Sequence, residues 1–287
     1  MKGIILAGGK GTRLYPITKT CPKPLLPVYD KPMIYYPLTT LIQAGIREIL
    51  IITPPDGTAA FEALLGDGSQ MGLSISYKPQ PVQRGIADAF IVGEDFIGDD
   101  SVCLVLGDNI FYSPIINRPL SAARANTTGA TVFGYYVDDP RPFGVVEIGP
   151  DGKALSIEEK PQNPKSNYII PGLYFYDNQV VEIAKNIQPS ARGELEITAV
   201  NNVYLERGQL NVVKLSDKFC WYDTGTAESM FEAAEDVRFL QERALVGFPE
   251  QAAYAQGFMT REQLLREAEA LKMTEYGKTL KALAEEA

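Results

Sequence analysis

The chain has 287 residues, of which 45% are hydrophobic and 22% charged, and its formal net charge is −9. This length assures a sizeable core, the acidic balance argues against nucleic acid as a partner, and no apolar run approaches the ~20 residues of a membrane span. The chain contains no histidine, which excludes histidine bases, histidine nucleophiles and histidine metal ligands.

Apolar stretches and helix-forming stretches alternate through the first part of the chain. The pattern predicts strands at Lys2–Leu6, Glu48–Thr53, Leu73–Tyr77 and Val102–Leu106, and helices at Met33–Ala44, Thr58–Leu65 and Ile86–Phe96. Continuous apolar strands that alternate with helices indicate a mainly parallel sheet between helices.

The middle of the chain is richer in strands, and the end is richer in helix formers. Further strands are predicted at Thr131–Val137, Gly144–Ile148, Ala154–Glu159 and Leu173–Tyr176, with a hairpin turn at 149–152 and helices at Gln179–Asn186, Leu195–Arg207 and, after Ala227, through Arg261–Leu271. We therefore expect an α/β fold, with one domain over residues 1–245 and a helical C-terminal extension of the same domain over residues 246–287.

A glycine cluster follows the first predicted strand. The run Gly8-Gly9-Lys10-Gly11-Thr12-Arg13 offers close-approaching backbone N–H groups and a planar guanidinium, which together suit a phosphate. Arg13 stands where a dinucleotide fingerprint needs glycine, and Gly11 stands where a P-loop needs serine or threonine. The run is therefore either a phosphate loop of another kind or a plain strand-to-helix turn.

Prolines fix an extended path after this loop and hold Lys23 beside it. The successive patterns GGxGTRLxPxT, KPLLPV and DKPMIYYP resemble the sugar-1-phosphate nucleotidyltransferases, and most closely the glucose-1-phosphate thymidylyltransferases. The resemblance extends to about residue 245. It implies a Rossmann-like three-layer nucleotidyltransferase fold with a mainly parallel mixed central sheet and a helical C-terminal extension.

Two aspartates are candidate metal ligands. Asp108 follows a buried strand and a glycine, and Asp223 follows the aromatic segment Trp221-Tyr222. An aspartate at the carboxyl end of a parallel strand points toward the crevice where such sheets bind ligands, although both aspartates could instead be turn or helix-capping residues. Two carboxylates suit Mg²⁺ when phosphate and water supply its other ligands. The resemblance implies that Asp108 and Asp223 hold Mg²⁺.

The resemblance also implies roles for residues in several separate motifs. Lys160, which could otherwise be part of a surface ion pair, is expected to contact the phosphate of the sugar phosphate, while Arg13 and Lys23 neutralise the nucleotide phosphates. The expected sugar-binding residues are Gly144, Glu159, Gly172, Thr198 and Trp221. The expected nucleotide-binding residues are Gly8, Gly9, Gly11, Thr12, Gln80 and Gly85. The Gln80 amide can both accept from the N3–H of thymine or uracil and donate to a carbonyl.

The implied reaction joins dTTP and α-D-glucose 1-phosphate to give dTDP-glucose and pyrophosphate. UTP or another sugar 1-phosphate remains an alternative, because the chain departs from the family pattern at Pro24, Gln83, Phe143 and Ala199. A metal-dependent glycosyltransferase would want Asp-x-Asp at Asp108, which is followed instead by Asn109 and Ile110. A non-catalytic sugar-nucleotide sensor would lack at least one of the residues that bind phosphate or metal, and all of these residues are present.

The last part of the chain bears on assembly. An apolar stripe at near-helical spacing comprises Leu264, Leu265, Ala268, Leu271 and Met273. It either packs on its own domain or helps to bury a subunit interface. The resemblance implies a homo-oligomer, expected to be a tetramer, that binds an end product between subunits. Three widely separated cysteines and the lack of a signal peptide predict a cytoplasmic protein.

Overall fold

A computed structural model describes residues 1–286. The strands are β1 (Lys2–Leu6), β2 (Pro27–Val28), β3 (Lys31–Pro32), β4 (Glu48–Thr53), β5 (Ser74–Pro79), β6 (Val102–Leu106), β7 (Asn109–Tyr112), β8 (Ala130–Tyr136), β9 (Gly144–Ile148), β10 (Ala154–Glu159), β11 (Tyr168–Ile169), β12 (Leu173–Tyr176), β13 (Leu210–Lys214) and β14 (Cys220–Asp223). The helices are α1 (Tyr35–Gln43), α2 (Thr58–Leu65), α3 (Asp88–Val92), α4 (Glu94–Ile97), α5 (Asn117–Ala125), α6 (Val180–Asn186), α7 (Ile197–Glu206), α8 (Ala227–Leu240), α9 (Pro249–Ala255), α10 (Arg261–Ala270) and α11 (Glu275–Glu286).

Ten strands form one central sheet in the order β10-β9-β11-β8-β12-β6-β1-β4-β5, and β13 also pairs with β8. Strands β6, β1, β4 and β5 pair in parallel, as expected for alternating strands and helices. Strand β12 pairs antiparallel with both β6 and β8, and β9 and β10 form the hairpin predicted around residues 149–152. Because β10, β11 and β12 run against the other strands, the sheet is mixed but mainly parallel in direction.

Apolar side chains cover both faces of this sheet. Strand β1 contributes Ile5 to a cluster on one face with α1, α2, α5 and the C-terminal helices, while Ile4 belongs to a cluster on the other face with α3, α6 and α7. A strand that is buried on both faces must be apolar throughout, which explains the continuous runs of β1, β4 and β6. The three-layer α/β fold expected from the sequence is confirmed.

Some elements differ from the sequence prediction. The predicted helix Ile86–Phe96 is two short helices, α3 and α4, that meet at Gly93. A Cβ at Gly93 would lie 2.9 Å from the carbonyl oxygen of Ala89 and from Ile4 Cδ1, so the close approach to β1 requires glycine. Neither α5 nor β13 is predicted from the sequence; the two elements span only nine and five residues.

The C-terminal helices pack on the body of the chain. Ala252, Leu264 and Leu280 join the same hydrophobic cluster as α1. Within the predicted apolar stripe, Leu264 and Ala268 are buried on their own chain, whereas Met273 is 88% exposed. Across residues 1–286, every helix is too short or too polar to cross a membrane.

Candidate active site

The carboxyl ends of the parallel strands meet at one edge of the sheet and carry most of the predicted site residues. The glycine loop follows β1, Gln80 follows β5, and Asp108 comes two residues after the end of β6. Asp223 arrives from the far end of the sequence, because β14 pairs with β7 and sets Asp223 opposite Asn109. Ligands bind in the crevice at this edge of open α/β sheets.

The glycine loop leads into three short 3₁₀ turns, at Thr12–Leu14, Ile17–Lys19 and Lys23–Leu25, so the extended path predicted from the prolines is wrong. Gly11 has φ +59°, a left-handed conformation that favours glycine, and its carbonyl accepts a hydrogen bond from Thr18 Oγ1 at 2.7 Å. Gly9 and Thr12 are exposed at the surface of the crevice, together with Arg13. The Arg13 guanidinium lies on the backbone of Gly225, where a Cβ would stand 3.1 Å from both terminal nitrogens. The loop and the Asp223 segment thus meet through Arg13.

The two predicted metal ligands lie among cations. Lys23, which is 7% exposed, donates from Nζ to Asp108 Oδ2 at 2.5 Å, and Asn109 Nδ2 donates to Asp108 Oδ1 at 3.0 Å. Burial, and then the negative charge of Asp108, raise the pKa of Asp223, while Lys23 and Arg13 act in the opposite direction. Bringing these two carboxylates together is therefore electrostatically unfavourable, and an additional positive charge between them would relieve the repulsion.

A second group of predicted residues lines a cavity of about 530 Å³ beside Asp223. Thr198, on α7, donates from Oγ1 to Glu159 Oε2 at 2.5 Å, and Gly144 lies against both side chains. Arg192 Nη2 lies 3.5 Å from the other Glu159 oxygen. Lys160, the residue after Glu159, lies at the rim of the cavity and has φ +45°, a strained conformation for a lysine. Strain of this kind is most often retained where function requires it.

Asn109 connects the metal-ligand region to this cavity. Its Oδ1 accepts from Trp221 Nε1 at 2.7 Å and from the backbone N–H of Gly172 at 3.0 Å. A Cβ at Gly172 would lie 2.8 Å from the same oxygen and 2.6 Å from Leu106 Cδ1, so a larger residue does not fit there. The sequence analysis predicts no binding role for Asn109. The only feature of the sequence that could have indicated one is its position next to Asp108.

Asn201, also on α7, is a second residue that the sequence prediction missed. Its Oδ1 accepts from Tyr176 Oη at 2.5 Å, and its buried Nδ2 has no hydrogen-bond partner within residues 1–286. Asn201 lies one helical turn after Thr198 and lines the same cavity. A buried donor of this kind is available to a polar group of a ligand or to water.

The predicted base-binding residues lie on the other side of the glycine loop. Gln80 is 3% exposed and lines a cavity of about 860 Å³ with Gly9, Lys10 and Gln83. A Cβ at Gly8 would lie 2.6 Å from Gln80 Oε1, so the glycine is required for this close approach. Gly85, predicted to lie beneath the base, packs against the backbone of Leu195, where a Cβ would be 2.5 Å from the carbonyl oxygen.

The cavities form a row with shared walls. Between the two cavities just described lies a third, of about 450 Å³, lined by the glycine loop, Lys23 and Asp108. It shares Gly9 and Gln83 with the Gln80 cavity, and Arg13 and Asp108 with the Glu159 cavity. The order along the crevice is therefore an amide-lined cavity, a cationic centre and a carboxylate-lined cavity.

The residues that depart from the family pattern line the same crevice, except for one. Pro24 lies in the central cavity, Gln83 donates from Nε2 to the Gly8 carbonyl, and the Phe143 ring lies 5.3 Å from that of Trp221 in an edge-on arrangement. Ala199 is half-buried on α7 and lines none of the three cavities.

Comparison with known proteins identifies this arrangement. The family model described as nucleotidyl transferase matches residues 2–239. The chain belongs to this family. Glucose-1-phosphate thymidylyltransferases of Neisseria meningitidis and Mycobacterium tuberculosis are 56% and 54% identical to it, over 98% and 99% of both chains. The resemblance drawn from the motifs is thus confirmed, and the chain is a nucleotidyltransferase.

Two solved structures have a similar fold. One, described as a glucose-1-phosphate thymidylyltransferase from Bacillus anthracis in complex with sucrose, is 45% identical, with a TM-score of 0.78 over 87% of this chain and 98% of that one. The other is a UDP-glucose pyrophosphorylase complexed with UDP-glucose, 25% identical, with a TM-score of 0.73 over 84% of this chain and 99% of that one.

Proposed function

We propose that the protein transfers the thymidylyl group of dTTP to α-D-glucose 1-phosphate, giving dTDP-glucose and pyrophosphate. The observation that carries this proposal is the order of the three adjoining cavities. A base beside Gln80, phosphates over the glycine loop and Lys23, and a sugar beside Glu159 would place the two phosphates next to each other at Asp108 and Arg13. The names of the relatives give the base and the sugar.

The reaction needs little acid–base chemistry. A phosphate oxygen of the sugar phosphate attacks the α-phosphorus of the nucleotide, the new P–O bond forms, and the bond to pyrophosphate breaks. The attacking oxygen is already anionic at neutral pH, so a chain without histidine can support the reaction. Catalysis then consists of positioning the reactants and neutralising their charge.

The cations near Asp108 would supply this neutralisation. Lys23 would turn from Asp108 toward the α-phosphate, Arg13 would face the departing pyrophosphate, and Lys160 would hold the sugar phosphate. Glu159, fixed by Thr198, would accept hydrogen bonds from sugar hydroxyls. Asn109 would keep Trp221 and Gly172 in place at the wall of the sugar cavity.

The residues present also fit Mg²⁺. The Lys23 ammonium forms an ion pair with Asp108, and burial, followed by repulsion from Asp108, raises the pKa of Asp223. A site with two carboxylates suits an ion that takes most of its ligands from phosphate and water. Asp108 and Asp223 would hold the ion, and it would stabilise charge on the phosphate oxygens.

Turnover against a panel of nucleotides and sugar phosphates tests the proposal. Pyrophosphate release should be fastest with dTTP and glucose 1-phosphate, and mass spectrometry should find dTDP-glucose as the product. A clear preference for UTP, or for another sugar 1-phosphate, would replace the substrates and keep the chemistry. Absence of pyrophosphate release with every pair would refute the proposal.

We also infer that the enzyme works in the cytoplasm as a homo-oligomer, and we favour a tetramer. The exposed Met273 at the end of the apolar stripe supports an interface. A sedimentation velocity experiment that finds a concentration-independent monomer would refute this part of the proposal.

A further inference from the structure

Gln80 belongs to a small hydrogen-bond network with Asp88 and Arg84, and the proposed reaction assigns no role to these two residues. Gln80 Nε2 donates to Asp88 Oδ2 at 2.8 Å, and Arg84 Nη2 donates to Asp88 Oδ1 at 2.7 Å. Asp88 is 1% exposed, whereas the Arg84 side chain is 53% exposed. A buried carboxylate therefore receives one donor on each oxygen, and one of these donors belongs to the side chain expected to contact the base.

These hydrogen bonds decide which end of the Gln80 amide points away from Asp88. A carboxylate can only accept hydrogen bonds, so the amide must turn its NH₂ group toward Asp88. The amide oxygen consequently faces Gly8, where a Cβ would lie 2.6 Å from it. Within residues 1–286 no group donates to this oxygen. Turning the amide around would bring its oxygen against the Asp88 carboxylate and leave a buried polar group unsatisfied, which is costly.

We propose that Asp88 is a positioning residue for base specificity: it fixes Gln80 with its oxygen toward the base and so selects bases that carry an N3–H. This inference rests on the proposed function, in which Gln80 contacts the base. Thymine and uracil have a donor at N3, whereas cytosine has an acceptor there. An amide oxygen opposite cytosine N3 would leave two acceptors facing each other, and sites that hydrogen-bond a substrate group reject analogues lacking it strongly.

The substitution Asp88→Asn makes a sharp prediction because Arg84 constrains it. Arg84 can only donate, so it holds the amide oxygen of the new side chain and directs the new NH₂ group toward Gln80. Gln80 must then turn its own oxygen toward residue 88, and its NH₂ group toward the base. The variant should therefore accept cytosine and discriminate against uracil.

The experiment compares dUTP with dCTP, which differ only at the N3 and C4 positions of the base. The readout is the ratio of kcat/KM for dUTP to that for dCTP, measured by pyrophosphate release with glucose 1-phosphate. In Asp88→Asn this ratio should fall at least about 100-fold. Asp88→Ala, which frees the amide to rotate, should also lower it. Asp95→Asn, at a 92% exposed position on α4, is the matched control and should keep the wild-type ratio.

A binding measurement separates this inference from the proposed function. The rise in melting temperature caused by dUTP or dCTP without sugar phosphate reports base recognition even if no pyrophosphate is released. A merely structural defect would weaken both nucleotides alike and leave their ratio unchanged. A ratio within about threefold of the wild-type value in both Asp88 variants, by turnover or by binding, would overturn the role of Asp88 while leaving the proposed reaction standing.

Discussion

The hydrogen bond from Thr198 to Glu159 offers a direct test of the sugar cavity. Thr198 Oγ1 lies 2.5 Å from Glu159 Oε2, and Thr198 is only 6% exposed. The other contacts of this carboxylate are longer, since Arg192 Nη2 is 3.5 Å and Lys160 Nζ is 3.9 Å from Oε1. Thr198 is thus the main group that orients the carboxylate. Thr198→Val keeps the branched shape of the side chain and removes its hydroxyl.

The size of the effect follows from the chemistry of this contact. A hydrogen bond to a charged group contributes about 1.5–3 kcal/mol, and a tenfold change corresponds to about 1.4 kcal/mol. We therefore expect kcat/KM for glucose 1-phosphate to fall by about 10- to 100-fold in Thr198→Val. The KM for dTTP should stay close to the wild-type value, because Thr198 lines only the sugar cavity.

Initial rates of pyrophosphate release at saturating dTTP, with glucose 1-phosphate varied, measure this effect. Thr198→Ser retains the hydroxyl and is the control, with an expected loss of less than threefold. Equal kcat/KM values for glucose 1-phosphate in Thr198→Val and the wild type would show that Glu159 does not need this hydrogen bond, or does not bind the sugar.

The remaining predictions concern the metal, the sugar phosphate and the base. Asp223→Asn should lower turnover by about 100-fold or more, and full activity in this variant or in EDTA would contradict the metal assignment. Burial raises the pKa of Asp223, so the free energy of unfolding falls as pH rises through that pKa and the carboxylate becomes charged. Asp223→Asn removes this charge and should therefore melt no lower than the wild type at neutral pH in EDTA. A lower melting temperature would contradict the destabilising effect of the charge. Lys160→Ala should raise the KM for glucose 1-phosphate or lower kcat with that substrate, and unchanged values would show that Lys160 does not hold its phosphate. The enzyme should use dTTP better than UTP, by the ~1–3 kcal/mol that a methyl contact allows, and should use CTP, ATP and GTP poorly. Equal use of ATP and dTTP in a competition assay would exclude Gln80 as the residue that recognises the base.

The first half of the fold is predictable because its central strands β1, β4 and β6 are buried on both faces. Short apolar runs such as Lys2–Leu6 and Val102–Leu106 are typical of buried strands, and the glycines and prolines after them mark the loops. The same alternation predicts which strand ends lie side by side. The sequence alone therefore indicates that Gln80, the glycine loop and Asp108 lie at one edge of the sheet.

The antiparallel half is harder to predict, since its pairing depends on contacts between distant segments. Strand β14 reaches the site only through pairing with β7, and a four-residue segment has no periodicity that could indicate its partner. The functional positions of Asn109 and Asn201 are hidden for the same reason. Each residue is recognised only by a tertiary contact: Asn109 accepts a hydrogen bond from Trp221, and Asn201 accepts one from Tyr176.

The two halves of the sheet divide the proposed work between them. The parallel half ends in loops that carry Gln80, the glycines and Asp108, which suit a nucleoside triphosphate. The antiparallel half and α7 carry Glu159 and Thr198, which suit a sugar. Asp108 and Asn109 lie at the junction, where Asp108 accepts from Lys23 and Asn109 accepts from the backbone N–H of Gly172, next to β12. Changes on the antiparallel side can therefore alter the sugar without disturbing the phosphate chemistry.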